Sequence, residues 1–199
     1  MSYVLGITGG IASGKSTVVN VFRSAGYPIV DGDVVARMVV EPGTPGLLAL
    51  KKVFGEGIIT SEGTLDRKKL GNLVFQDETE REKLNRALEP FIRSEIDQQI
   101  ETAKKTSPLV IADIPLLYEG NYEKQMDAVA VVYVDQKTQL KRLMARNQLS
   151  EIEAMNRINS QMSLERKKDC ADIVFDNCGS LEETTEQVLE WIKKHAFIE

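Results

Sequence analysis

The residues able to do chemistry begin near the amino end. Gly9-Gly10-Ile11-Ala12-Ser13-Gly14-Lys15-Ser16 fits the spacing G-x-x-x-x-G-K-[ST], which cradles phosphates when a strand precedes it and a helix follows. Its glycines let backbone N–H groups turn inward on an anion, and the helix adds the partial positive charge of its N-terminus. Gly10, Ile11, Ala12, Ser13, Gly14, Lys15, Ser16 and Thr17 would line a nucleoside triphosphate. Lys15 would reach the β- and γ-phosphates, and the Ser16 hydroxyl would ligate Mg²⁺.

The flanking residues supply that context. Tyr3 to Thr8 is a short apolar run of the buried-strand kind, and Val18, Val21, Phe22 and Ala25 recur at helical spacing. A second strand, Tyr27 to Asp31, runs into Gly32-Asp33 and a helical stretch from Val34 to Val40. Ligands of open parallel sheets sit beyond the carboxyl ends of the strands, so Asp31 and Asp33 are expected on the edge that carries the phosphate loop. Either could cap the helix, which leaves the other for chemistry.

The next buried strand, Leu109 to Asp113, comes nearly eighty residues later, far more than a simple crossover requires. An inserted subdomain is implied, with a turn-rich opening (Glu41-Pro42-Gly43-Thr44-Pro45-Gly46), a helix to Phe54 and a long helical region from Thr79 to about Lys105. Arg67 and Arg93 within it could meet a phosphate on a second substrate. Asp113 closes its strand, where it could hold Mg²⁺ directly, hold it through water, or cap the turn that follows. A fourth strand covers Ala128 to Asp135, and a helix then places Arg142 and Arg146 four residues apart on one side. A fifth strand, Ile173 to Asp176, and a last helix finish the chain; His195, in its final turn, reads as a solvated helix end.

Bulk properties narrow the classes. The 199 residues, 42% hydrophobic and 28% charged, suit one soluble domain with insertions. No run is long and apolar enough to cross a bilayer. No basic leader precedes Tyr3, and Cys170 and Cys178 lack metal-site spacing, so a cytoplasmic protein with reduced thiols is expected. The net charge of −5 argues against nucleic-acid binding. Residues 141–168 nevertheless carry +4 against −9 for the remainder. A basic island in an acidic chain suits an arginine-bearing lid that closes over a triphosphate.

Several stretches together resemble the dephospho-CoA kinase family over essentially the whole chain. They are Thr8 to Thr17, Asp31-Gly32-Asp33, Glu41-Pro42-Gly43-Thr44-Pro45 and Thr64-Leu65-Asp66-Arg67. Asp113-Ile114-Pro115-Leu116-Leu117-Tyr118-Glu119, the most specific, the lid arginines and Ala171-Asp172 to Gly179 complete the set. The resemblance implies an α/β fold of the P-loop NTPase type: a five-stranded parallel sheet with helices on both faces, a helical acceptor-binding insertion and a lid. The expected divisions are a core of about 1–40, 106–140 and 170–199, an insertion of about 41–105 and a lid of about 141–169.

The resemblance also implies transfer of the γ-phosphate of ATP to the ribose 3′-hydroxyl of dephospho-CoA, with Mg²⁺, in a monomer or small homo-oligomer. Asp33 then resembles the base that orients and deprotonates the acceptor. Arg142, with Arg146, resembles the lid pair that meets ATP, and Asn177 lies in a segment near the adenine. Thr8, Asp33, Arg67, Pro115, Leu116 and Leu117 are the expected acceptor-binding positions. Two positions depart from the family pattern: Glu89 stands before Pro90 where histidine is frequent, and Ala12 stands in the loop where glycine is usual. Alanine fits there only if the backbone keeps a negative φ. Of the rivals, a nucleoside monophosphate kinase shares the core. A GTPase-type switch is disfavoured because Asn-Lys-x-Asp is missing from the sequence.

Overall fold

The structure is a computed structural model that describes residues 2–195 and 197, without the side chains of residues 75 and 76. It separates into two compact units. The first holds the residues up to Val30 and those from Thr102 onward; the second spans Asp31–Glu101.

In the first unit, β1 (Tyr3–Gly9) occupies the centre of a five-stranded sheet ordered β2-β3-β1-β4-β5. The others are β2 (Ile29–Asp31), β3 (Leu109–Asp113), β4 (Ala128–Tyr133) and β5 (Ile173–Asp176). β1 pairs in parallel with both β3 and β4, and β4 with β5. Buried parallel strands read as continuous apolar runs, and all five residues of β3 are buried. β4 ends two residues before the expected Asp135 because that carboxylate turns to cap α6 (Gln136–Asn147), accepting from the Thr138 amide at 2.9 Å.

One core forms where α1 (Lys15–Ser24) and α9 (Leu181–Lys194) join the sheet. Phe22, fully buried, meets the rings of Tyr27, Phe175 and Trp191 edge-on at centroid distances of 5.9–6.4 Å. Truncating such a ring to alanine typically costs about 3–5 kcal/mol. A smaller cluster forms where α8 (Leu164–Cys170) places Leu164 against Val131 and Val134. α6 and α7 (Glu151–Asn159) enclose Leu143, Ala154 and Ile158, against which Ile11 and Ala12 of the phosphate loop pack.

The second unit is helical: α2 (Gly32–Met38), α3 (Pro45–Phe54), α4 (Arg67–Gln76) and α5 (Glu78–Ala103). Its helices start on side-chain caps. Thr44 accepts from the Leu47 amide and Asp66 from that of Lys69. A short 3₁₀ turn, Glu56–Ile58, and an antiparallel bridge between Ile59 and Leu65 connect α3 to α4. α5 begins and ends within two residues of the expected limits, with Pro90 in its interior.

Candidate functional site: the phosphate loop and its supports

The loop leaves the central strand and enters α1 through Gly14, whose φ is +85°. A Cβ at Gly14 would lie 2.0 Å from Asn177 Nδ2, so glycine is required there by conformation and by space. α1 has no side-chain cap. Its first N–H groups are therefore orphans, and among the described residues no protein acceptor meets the amides of Gly14, Lys15 or Ser16. These are the donors an anion would take.

The condition of a negative φ is not met at Ala12: its φ is +60°. The Ser13 amide donates to the Gly10 carbonyl at 3.1 Å, closing a four-residue turn with Ala12 in its third position. A type II turn demands positive φ there, which is why glycine or asparagine is favoured. Alanine bears the left-handed strain, roughly 1–2 kcal/mol.

Parallel register brings distant residues onto this loop. Asp113 lies beside Ile7, two residues before Gly9. Asp113 is only 6% exposed, and its carboxylate forms an ion pair with the Lys15 ammonium across 98 residues of sequence. The Ser16 side chain is exposed at the start of α1. A hydroxyl, a carboxylate and the phosphate oxygens of a ligand form the hard-oxygen donor set that suits Mg²⁺. Among the described residues no cluster of three His, Cys, Asp or Glu side chains forms a metal cage, as expected of an ion that arrives with a phosphate ligand. The residues present fit Mg²⁺.

Four side chains from elsewhere in the chain grip the loop backbone. Gln139 on α6 donates to the Ile11 carbonyl at 2.9 Å, and Gln161, beyond α7, accepts from the Ile11 amide at 3.0 Å. Asn177, after β5, donates to the Ser13 carbonyl at 2.8 Å, and its own oxygen accepts from Thr184 at 2.9 Å. Lys167 on α8 is fully buried, with Nζ 3.2 Å from the Gly9 carbonyl and 3.0 Å from that of Pro115. Burial pushes its ammonium below the usual lysine range, while Glu119, 3.1 Å away, favours the charged form.

The expected site residues divide accordingly. Thr8 is fully buried and donates to the Pro115 carbonyl at 2.8 Å. Leu117 is fully buried against Gly6, whereas Leu116 is 47% exposed. Arg142 on α6 is half-buried, and Arg146 is exposed and donates to Asn147. In the second unit Asp31 takes the cap of α2, accepting from the Asp33 and Val34 amides at 2.9 and 3.0 Å. That leaves Asp33 exposed on the first helical turn, and it starts the helix two residues before the expected Val34. Arg67 is exposed at the start of α4, and Arg93 pairs with Glu89 one turn away. His195 ends α9 with its ring stacked on Trp191 at 4.4 Å.

Gln139, Gln161, Lys167 and Thr184 were missed by the reading of the sequence. Helical spacing held one trace of them: Leu164 and Lys167, three apart, share a side of α8, as Gln139 and Leu143, four apart, share one of α6.

A phosphate loop after the central strand of a five-stranded parallel sheet, with a carboxylate on the neighbouring strand beside its lysine, defines a P-loop nucleotide-binding protein of the kinase type. The comparisons with known proteins narrow that class. The dephospho-CoA kinase family profile matches residues 3–183, and the chain belongs to that family. It is 60% identical over 194 residues to the dephospho-CoA kinase of Enterococcus faecalis, covering 98% of both chains. Among solved structures, TT1252 from Thermus thermophilus superimposes with a TM-score of 0.83 at 34% identity, covering 98% of both chains. The dephospho-CoA kinase from Campylobacter jejuni does so with a TM-score of 0.77 at 29% identity and the same coverage.

Proposed function

We propose that this chain transfers the γ-phosphate of ATP to the ribose 3′-hydroxyl of dephospho-CoA, giving CoA and ADP, the last step of CoA synthesis. The observation that carries the reading is the unspent row of loop amides beside the Lys15–Asp113 pair, in a chain whose full length matches the family. The acceptor oxygen attacks the γ-phosphorus, the bond to the β–γ bridging oxygen breaks, and the hydroxyl proton passes to the Asp33 carboxylate. Lys15 exchanges Asp113 for the β- and γ-phosphates as nucleotide enters. The transition state is loose, so neutralising its spread charge matters more than the base does.

Ser16 would hold Mg²⁺, with Asp113 ligating it directly or through water. When bound, the ion would offset the charge that develops on the transferring phosphate. Arg142 and Arg146, in a lid of about residues 141–169, supply the remaining positive charge. Acceptor binding is assigned to Thr8, Asp33, Arg67 and Pro115 to Leu117, and adenine binding to the segment around Asn177. Because the Asn177 amide already holds Ser13 and Thr184, that residue serves nucleotide binding by shaping the loop. The setting is the cytoplasm, in a monomer or small homo-oligomer, with ATP and dephospho-CoA as the small-molecule partners and neither nucleic acid nor membrane involved. Among the described residues no helix is long and apolar enough to span a bilayer.

The test is ATP-dependent phosphorylation of dephospho-CoA by purified protein with Mg²⁺, the new phosphate being located by ³¹P NMR. AMP, CMP and shikimate serve as competing acceptors. Phosphorylation at the 3′-position supports the reading; preferential phosphorylation of a nucleoside monophosphate overturns it.

A further inference from the structure

One fully buried charge has no part in the chemistry above. Lys167 reaches from α8 to the carboxyl-end edge of the sheet, where its three protons meet four acceptors. They are the Gly9 carbonyl (3.2 Å), the Pro115 carbonyl (3.0 Å), the Thr8 hydroxyl (3.5 Å) and Glu119 Oε1 (3.1 Å). Thr8 and Gly9 are the last residues of β1 before the loop, and Pro115 follows Asp113 by two. One ammonium thus ties together the strand ends that carry Lys15 and Asp113. The same Glu119 oxygen accepts from the Met162 amide at 3.0 Å, and the neighbouring Gln161 accepts from the Ile11 amide. Residues 161 and 162 lie within the basic segment of 141–168, between α7 and the α8 that carries Lys167, so its C-terminal part is bound twice, once to the loop directly and once through Glu119 to Lys167.

Stability alone does not call for a charge in this place. Exchanging a buried ion pair for well-packed apolar side chains is often neutral or stabilising, whereas removing one partner is costly. A methionine has nearly the same length and would fill the same space. What it cannot do is hold two carbonyls, a hydroxyl and a carboxylate at once.

We propose that Lys167, acting through Glu119, is a positioning residue for phosphoryl transfer, holding the entry of the phosphate loop, the segment after Asp113 and the root of the lid in one register. It touches no reacting atom. It keeps Lys15, Asp113 and the lid arginines where the transferring phosphate needs them. Displacement of such groups by about 1 Å can cost on the order of 10²-fold in rate.

The inference rests on the kinase reading, so parental transfer to dephospho-CoA is measured first; if the parent phosphorylates no dephospho-CoA, that reading fails before this one is reached. With an active parent, Lys167→Met/Glu119→Gln removes both charges while leaving a group that can accept from Met162. The expected result is a melting temperature close to the parent's, KM for ATP changed little, and kcat lowered about 10²-fold. ATP hydrolysed without acceptor rises as a fraction of total turnover, because a loosened lid admits water. Lys167→Arg, which keeps the charge, recovers part of kcat. A folded double variant with kcat and hydrolysis fraction like the parent's overturns the proposal. So does a loss of kcat that follows only the fraction of protein unfolded. Should the Lys167 variants not fold, Glu119→Gln alone decides: a several-fold loss of kcat at unchanged KM for ATP supports the role, and parental kcat refutes it.

Discussion

The phosphate loop and the helical insertion are built in opposite ways. All seven buried polar side chains among the described residues belong to the first unit: Thr8, Ser13, Asp113, Gln139, Lys167, Asn177 and Thr184. Each lies in the loop, bonds to it or to the strand end that feeds it, or supports a residue that does. The second unit contributes none. Its Asp33, Arg37 and Arg67 are exposed, and so are Val34, Met38, Leu48, Val53 and Leu73, large apolar side chains left in water. A buried polar group is costly unless bonded, so the loop's supports form a rigid, preorganised cradle. The insertion leaves these charges and apolar side chains exposed.

The contrast can be broken by substitution. On the loop, Lys15→Ala should have the largest effect, lowering kcat about 10³-fold, the size seen when a preorganised charge-stabilising donor is lost. Circular dichroism should show an intact fold; a loss below tenfold would separate Lys15 from the transfer. In the insertion, Asp33→Asn should lower kcat by about 10²-fold or more, the scale of general-base help. ATP affinity by calorimetry should be unchanged, because among the described residues no hydrogen bond or ion pair is made by the Asp33 carboxylate. Parental kcat in that variant would remove Asp33 from the chemistry.

Asn177→Ala sharpens the comparison, because on the loop side stability and function should move together. It strands the Ser13 carbonyl, at a cost of about 1–3 kcal/mol, while the Thr184 hydroxyl keeps the Ser180 carbonyl at 3.1 Å. Chemical denaturation and KM for ATP should both register the change; a shift in neither would mean the loop keeps its shape without this support. Ala12→Gly should work the other way, relieving left-handed strain and stabilising the protein by about 1 kcal/mol, or about 2–4 °C in melting temperature for a chain of this size. A lower melting temperature would show that the Ala12 methyl's packing on the lid cluster outweighs the strain.

The smallest effect concerns pH. Burial pushes the Tyr118 phenol up to about 12, and the hydrogen bond to Glu165 pushes Tyr133 up to about 12, both from 10.0. A folded-state value raised above the unfolded one gives stability that is complete below pH 10 and is lost as pH climbs towards 12. Denaturant midpoints should therefore fall across that window. Tyr118→Phe should flatten the fall without harm at neutral pH, since the Tyr118 hydroxyl is buried with no hydrogen-bond partner among the described residues. An unchanged slope would remove Tyr118 as its source.

Much of this was legible from spacing. The loop, the five strands and the long helix of the insertion follow from periodicity, and Asp113 stood out because it closes an apolar strand. Asp31 and Asp33 were left as alternatives, and the backbone chose between them: an aspartate immediately before the first helical residue can reach the second and third amides, and Asp31 occupies that place. Lys167 was not legible. A lysine in a basic run reads as a solvated face, and only contacts across 48 to 159 residues of sequence turn it inward.

Local chemistry was enough to decide that the chain carries a phosphate loop between strand and helix, because glycine, lysine and serine at that spacing act through their own backbone and their nearest neighbours. It was not enough for the sign of φ at Ala12, the partner of Lys15 or the grip of four side chains on the loop. Those depend on which strand ends and helix faces lie side by side, and that is settled only when the sheet is assembled and its buried polar groups must find acceptors.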